Sequence, residues 1–157
     1  PASLKMTPPR YQEVQSADIP EVVDDDGTAV RVICGEVWGK TGPVDGIAAE
    51  PSYVDVSVPA GMRKTLPVAT TRHAFAYVFQ GSGSFADASA PQPVRTDTVA
   101  GAPSLDARLA ENRSLVLFDR GDEITVQAGE RGIRFLLVSG KPLREPVAWH
   151  GPIVMNT

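Results

Sequence analysis

Val58-Pro59-Ala60-Gly61, then Leu66-Pro67-Val68, then His73-Ala74-Phe75-Ala76-Tyr77-Val78-Phe79-Gln80-Gly81-Ser82-Gly83-Ser84-Phe85 is the passage whose reading decides the fold. It describes a strand ending at Val58, a glycine that turns the chain, a loop with prolines and a histidine, and an aromatic-rich strand entering a Gly-x-Gly hairpin turn. Along 74–79, Phe75, Tyr77 and Phe79 share one face, and Ala74, Ala76 and Val78 share the other. Both faces are apolar. This predicts a strand whose small side lines a narrow interior and whose aromatic side meets another layer and builds the core.

On the N-terminal side, Ser52-Tyr53-Val54-Asp55-Val56-Ser57-Val58 alternates, with Val54, Val56 and Val58 on a buried face. Earlier still, Asp24-Asp25-Asp26-Gly27 is a turn, because Asp side chains bond their own backbone and Gly supplies a positive φ; Ala29–Cys34 is the strand that follows. On the C-terminal side, Ser114–Phe118 reads as a buried strand, Asp119–Asp122 as a turn and Glu123–Ala128 as an alternating strand. Gly129–Gly132 is a second turn and Ile133–Val138 another buried strand, which makes a meander. At least six strands result, and a two-sheet sandwich or closed barrel is the economical way to bury them. The passage from Ser84 to Arg113 is poor in apolar residues and contains Ala90-Pro91-Gln92-Pro93. It reads as a long surface excursion, with a short strand at 94–99 and a turn of helix at 105–109.

A length of 157 residues suits one well-buried core, and 14 Gly with 14 Pro favour short strands and sharp turns. The class expected is therefore all-β. Residues 1–20 hold Pro8-Pro9 and Ile19-Pro20 and are expected to form an extended interdomain arm, because each proline removes a donor and holds its predecessor out of the helical region. Leu4, Met6 and Tyr11 would then pack on a neighbouring domain. The domain proper is 21–157. The net charge of −4, with no basic stripe, argues against direct nucleic-acid binding. No apolar segment approaches the ~20 residues that cross a bilayer, and no charged-then-apolar leader is present, so no membrane partner and a cytoplasmic location are expected. The single cysteine, Cys34, excludes an internal disulfide and fits a buried thiol in a reducing compartment. Pro1 and the apolar close at Val154-Met155-Asn156-Thr157 both read as cut ends.

Three motifs bear on chemistry. Gly35-Glu36-Val37-Trp38-Gly39-Lys40-Thr41 resembles a phosphate loop, but only three residues separate its first glycine from Gly-Lys-Thr, and Gly42-Pro43 cannot open the required helix. A glycine-rich turn is the reading that remains. No Gly-x-Ser-x-Gly elbow is present, and Glu36, Asp55 and Glu123 read as separate solvated carboxylates, so no catalytic residue is assigned. The β-barrels called cupins bind a metal with Gly, five residues, His-x-His and a following Glu, and with one more His in a second motif. Alternate strand residues face inward, which brings these groups onto one ion. Laid on Gly61, the pattern puts Pro67 and Ala69 at the paired histidine positions, His73 at the glutamate and Ile124 at the last histidine. Three of these four have no donor for a metal, so no metal or other cofactor is expected in this chain.

Several further blocks are similar to the pirin family. They are Leu4-Lys5-Met6 with Pro8-Pro9-Arg10-Tyr11-Gln12, Gly42-Pro43-Val44, Ala74–Val78 before Gly81-x-Gly83, Gly140–Val147 and Gly151–Thr157. The resemblance runs along essentially the whole chain. It implies a bicupin of two jelly-roll domains, of which this is the metal-free C-terminal one. The family's iron, held by three histidines and a glutamate, would lie in an N-terminal cupin not contained here, and that cupin is the implied partner. The chain also stops where the family usually continues into a C-terminal helix. The resemblance implies a quercetin 2,3-dioxygenase-like oxidoreductase for the parent protein. The alternative is a transcription cofactor of the animal pirin type, or a module that binds a small ligand beside Ala74, Ala76 and Val78. An oligomer is compatible with either.

Overall fold

A computed structural model describes residues 1–86, 92–93 and 108–157 of the chain. Its strands are β1 (Glu21–Val23), β2 (Ala29–Cys34), β3 (Glu36–Val37), β4 (Lys40–Thr41), β5 (Ser52–Val58), β6 (Arg63–Pro67), β7 (His73–Phe85), β8 (Gln92–Pro93), β9 (Ala110–Glu111), β10 (Ser114–Leu117), β11 (Glu123–Gly140), β12 (Ala148–His150) and β13 (Ile153–Met155). The only helical pieces among the described residues are 3-10 turns at Ala2–Leu4 and Ser16–Asp18. No described helix is long and apolar enough to cross a membrane. The rest of 1–20 carries no strand and is mostly exposed. The expected strand at 94–99 lies outside the described residues, as does most of the helical turn expected at 105–109.

Nine strands form one antiparallel sheet in the order β1-β2-β5-β11-β7-β10-β8, with β6 beside β11 and β9 beside β7. It is neither a meander nor a closed barrel. Two turns expected from glycines are absent. Gly81-Ser82-Gly83 lies inside the 13-residue β7, and Gly129–Gly132 lies inside the 18-residue β11. The glycines do not reverse the chain; they crease the sheet. Gly61 in the β5–β6 connection, Gly81 in β7 and Gly132 in β11 all have φ near +70°. The Gly61 N–H donates to the Gly129 carbonyl (3.0 Å), and the β7–β11 register shifts between Ala128 and Ile133. A Cβ on Gly81 would run into the Gly132 carbonyl, so close backbone approach adds to the need for a positive φ.

The ring contacts show how sharply the sheet folds. Phe85 pairs with Val126, and Phe135 lies nine positions further along β11, about 30 Å away if the strand were straight. The two rings are instead 5.2 Å apart, edge to face, and Phe118 meets Phe85 in the same way at 5.5 Å. The crease thus brings the β6 half of the sheet over the β5 half. One core results, with Val30, Val32, Val54, Val56, Val58, Leu66, Val78, Val126 and Phe135 all buried in it. Alternation in β5 supplies the inward residues as expected, and β2 alternates as well; β10, expected to be buried throughout, also alternates, with Ser114 and Val116 inward and Leu117 exposed. In β7 the core face is Ala76 and Val78, whereas Phe75, Tyr77 and Phe79 turn outward, which corrects the expectation that the aromatics build the core.

Candidate functional site

The interior wall where a cupin metal would sit is built by β6 and the first part of β11, which pair through Ile124 opposite Leu66 and Glu123 opposite Pro67. Register decides which residues face it. Leu66 and Ile124 are buried and Val68 packs against the core, while Pro67 and Ala69 lie on the exposed side. Counting from Gly61 thus points one residue away from the wall, whose inward positions are Leu66 and Val68. His73 is exposed at the start of β7, and Ile124 is the one counted position that does face inward. His150 is exposed in the β12–β13 hairpin. Among the described residues no three His, Cys, Asp or Glu side chains converge on one point. The inward positions of the wall are hydrocarbon, and the groups present do not fit an iron site.

Two charged clusters lie elsewhere. On the outer face, Arg134 donates from Nε to Asp55 Oδ1 (2.9 Å) and from its terminal nitrogen to Oδ2 (2.6 Å). Its guanidinium carbon stands 5.1 Å from the Phe79 ring centroid. Asp55 is only 8% exposed, which corrects its reading as a solvated carboxylate, and its hydrogen bonds raise the pKa of Arg134 above the ordinary range. No local sequence signal joins the two, since they meet only through the β5–β11 register. At the turn before β2, Lys64 Nζ pairs with Asp24 and with Asp26 (3.0 Å) and lies 5.0 Å from the Trp38 ring centroid. Trp38 and Gly39 form the two-residue hairpin between β3 and β4, both at positive φ, so the phosphate-loop look-alike is a tight turn.

Cys34 is a buried free thiol that donates to the Pro51 carbonyl (3.3 Å). Burial pushes its pKa above the ordinary 9.0, partly offset by a hydrogen bond from the Gly35 backbone. That environment disfavours the thiolate and therefore nucleophilic or redox chemistry. Ala76 and Val78, the proposed lining of a ligand cavity, are wholly buried in the same cluster as Phe135 and Val116.

A surface groove of about 690 Å³ lies between the N-terminal residues and the C-terminal hairpin, with Leu4, Leu143, Val147, Val154 and Met155 among its walls. The Ala2 N–H and Asn156 Nδ2 both donate to the Glu145 carboxylate, and Arg10 and Gln12 bond to Asp45, so the arm is held along one side. Apolar groups remain in the open: Met6 is 93% exposed, Tyr11 85% and Trp149 74%.

Comparison with known proteins matches residues 53–157 to the family model described as the pirin C-terminal cupin domain. A pirin-like protein of Caulobacter vibrioides is 38% identical over 100% of this chain and 50% of its own length. A putative quercetin 2,3-dioxygenase of Pseudomonas aeruginosa is 30% identical over 100% of the chain and 50% of its own length. The crystal structure of a quercetin 2,3-dioxygenase from Acinetobacter baumannii superposes with a TM-score of 0.76 at 28% identity, covering 100% of this chain and 48% of that one. The creased sheet is thus a cupin fold, and the chain spans about half the length of the relatives it matches.

Proposed function

The chain belongs to the pirin family as its C-terminal cupin domain, and from that premise we propose that it is the metal-free half of a two-domain protein, supporting an iron-binding N-terminal cupin. Residues 21–157 form this domain and residues 1–20 are the interdomain arm. The apolar wall at Leu66, Val68 and Ile124, where a metal-binding cupin needs donors, is the observation that carries the reading. Two relatives that bear the quercetin 2,3-dioxygenase name are about twice as long, which supports an oxidoreductase of that type for the whole protein. The iron would be held by the half not present here. The arm and the Trp149–Thr157 segment, with their exposed apolar side chains, are suited to lie against that half.

Metal analysis of the purified 157-residue chain, set beside the full-length polypeptide, tests the division. Iron is expected in stoichiometric amount only when the N-terminal half is present; stoichiometric iron on this chain alone would sink the reading. Quercetin consumption by the iron-loaded full-length protein tests the oxidoreductase assignment, and absence of turnover would favour a regulatory role. A ligand beside Ala76 and Val78 finds no support, because both are buried in one cluster with Phe135.

A further inference from the structure

We propose that a surface notch bordered by Arg131, Arg134, Gln80 and Ser57 binds a phosphate group. Sheet register gathers these residues from three strands. Arg134 of β11 lies opposite Ser57 of β5 on one side and opposite Gln80 of β7 on the other. Arg131 stands beside them, where the β7–β11 register shifts between Ala128 and Ile133. Together with 58–60 and Gly132 they line a space of about 130 Å³. At about 30 Å³ per water of liquid volume, that is room for about four waters, which suits one phosphate group with any attached remainder left outside.

Charge and unused donors select the ligand. Glu21 lies opposite Arg31, which lies opposite Asp55, which pairs with Arg134, so this row across four strands is neutral. Arg131 is left over as a net positive charge, with no hydrogen bond or ion pair to its side chain among the described residues. None of the described residues that line the notch is acidic. Arg134 is held from two directions. Its Nε and one terminal nitrogen donate to Asp55, and the Phe79 ring, which has no counterpart on β11 in the register, stands 5.1 Å from its guanidinium carbon. A guanidinium carries five N–H groups, so the other terminal nitrogen of Arg134 keeps both of its donors. The Gln80 amide and the Ser57 hydroxyl are likewise without partners among the described residues. A guanidinium already fixed by its neighbours loses little freedom when it binds. Two such cations with an amide and a hydroxyl offer more donors than the two oxygens of a carboxylate need, whereas a phosphate presents at least three acceptor oxygens.

Phenylglyoxal, which modifies accessible guanidinium groups, reads the site one arginine at a time by mass spectrometry. Inorganic phosphate, glycerol 3-phosphate and acetate are compared at one ionic strength, on the 157-residue chain and on the full-length protein. Phosphate is expected to slow modification of Arg131 several-fold and saturably, while the exposed Arg63 and Arg120 react as before. Arg131→Gln should weaken phosphate binding about tenfold in calorimetry, because it removes charge-assisted hydrogen bonds. Gln80→Glu should abolish it by setting a carboxylate beside the anion. Both side chains are exposed, so the unfolding midpoint should not move in either variant. Stronger protection by glycerol 3-phosphate than by inorganic phosphate would identify a phosphomonoester as the ligand, and equal protection would identify free phosphate. No protection of Arg131, equal protection by acetate, equal slowing at Arg63 and Arg120, or an affinity that survives both substitutions overturns the proposal. Protection present in the 157-residue chain but lost in the full-length protein overturns it too, because the notch would then be closed in the intact molecule. Each of these failures leaves the two-domain reading untouched.

Discussion

At the scale of single residues, positive φ and crowding separate glycines that look alike in sequence. Gly61 and Gly81 share φ +70°, but a Cβ on Gly61 meets nothing within 4 Å, whereas one on Gly81 strikes the Gly132 carbonyl. Gly61→Ala should therefore cost only the left-handed backbone penalty, about 1 kcal/mol. Gly81→Ala should cost clearly more, about 3 kcal/mol or above, because backbone must also move. Urea unfolding of the two variants checks the contrast. Cys34 gives a pH prediction. Its folded pKa is raised above the ordinary 9.0, so its contribution to stability is complete below that value and declines as pH rises through it towards the folded pKa. Native protein at pH 8 should label slowly with iodoacetamide and rapidly once unfolded; Cys34→Ala should flatten the alkaline limb of stability. The thiol's burial was legible from its place in an apolar strand-like segment. The Asp55–Arg134 pair was not, because 79 residues separate its partners and only sheet register joins them.

At the scale of elements, the strands from Ala29 to Cys34 and Ser52 to Val58 follow their side-chain alternation, because a one-sided strand carries its orientation in its own period. The long strands do not. Gly81-x-Gly83 and Gly129–Gly132 resemble hairpin turns locally, yet each is continued by pairing on both sides: β7 and β11 hold one another through the crease, and β5 with β6 flanks β11 beyond it. A glycine permits a turn or a bulge equally, and partner strands decide between them. Lys64 ties this arrangement at one edge, joining β6 to the Asp24–Asp26 turn and to the Trp38 hairpin. Lys64→Met should lower stability by about 1–2 kcal/mol by leaving two neighbouring carboxylates without their cation. The loss should shrink in high salt, where their repulsion is screened, and thermal melts at two ionic strengths read it out.

At the scale of the whole molecule, Glu145 accepts hydrogen bonds from both Ala2 and Asn156 and so fastens the arm beside the final hairpin. Glu145→Ala should speed tryptic cleavage at Lys5 and Arg10 while leaving the unfolding midpoint of the sheet unchanged, because the arm contributes nothing to the buried cluster. The sequence by itself determined the all-β class, the family resemblance and the absence of a donor side chain at Pro67, Ala69 and Ile124, three of the four counted positions. These follow from composition and side-chain type, neither of which requires knowing a contact. The tertiary structure alone decided that the glycine segments crease one sheet, that Leu66 and Val68 face the wall while Pro67 and Ala69 do not, and that the β7 aromatics face outward. Each of these depends on which strand lies beside which and in what register. That is a property of pairing between residues far apart in the chain, and no local period encodes it.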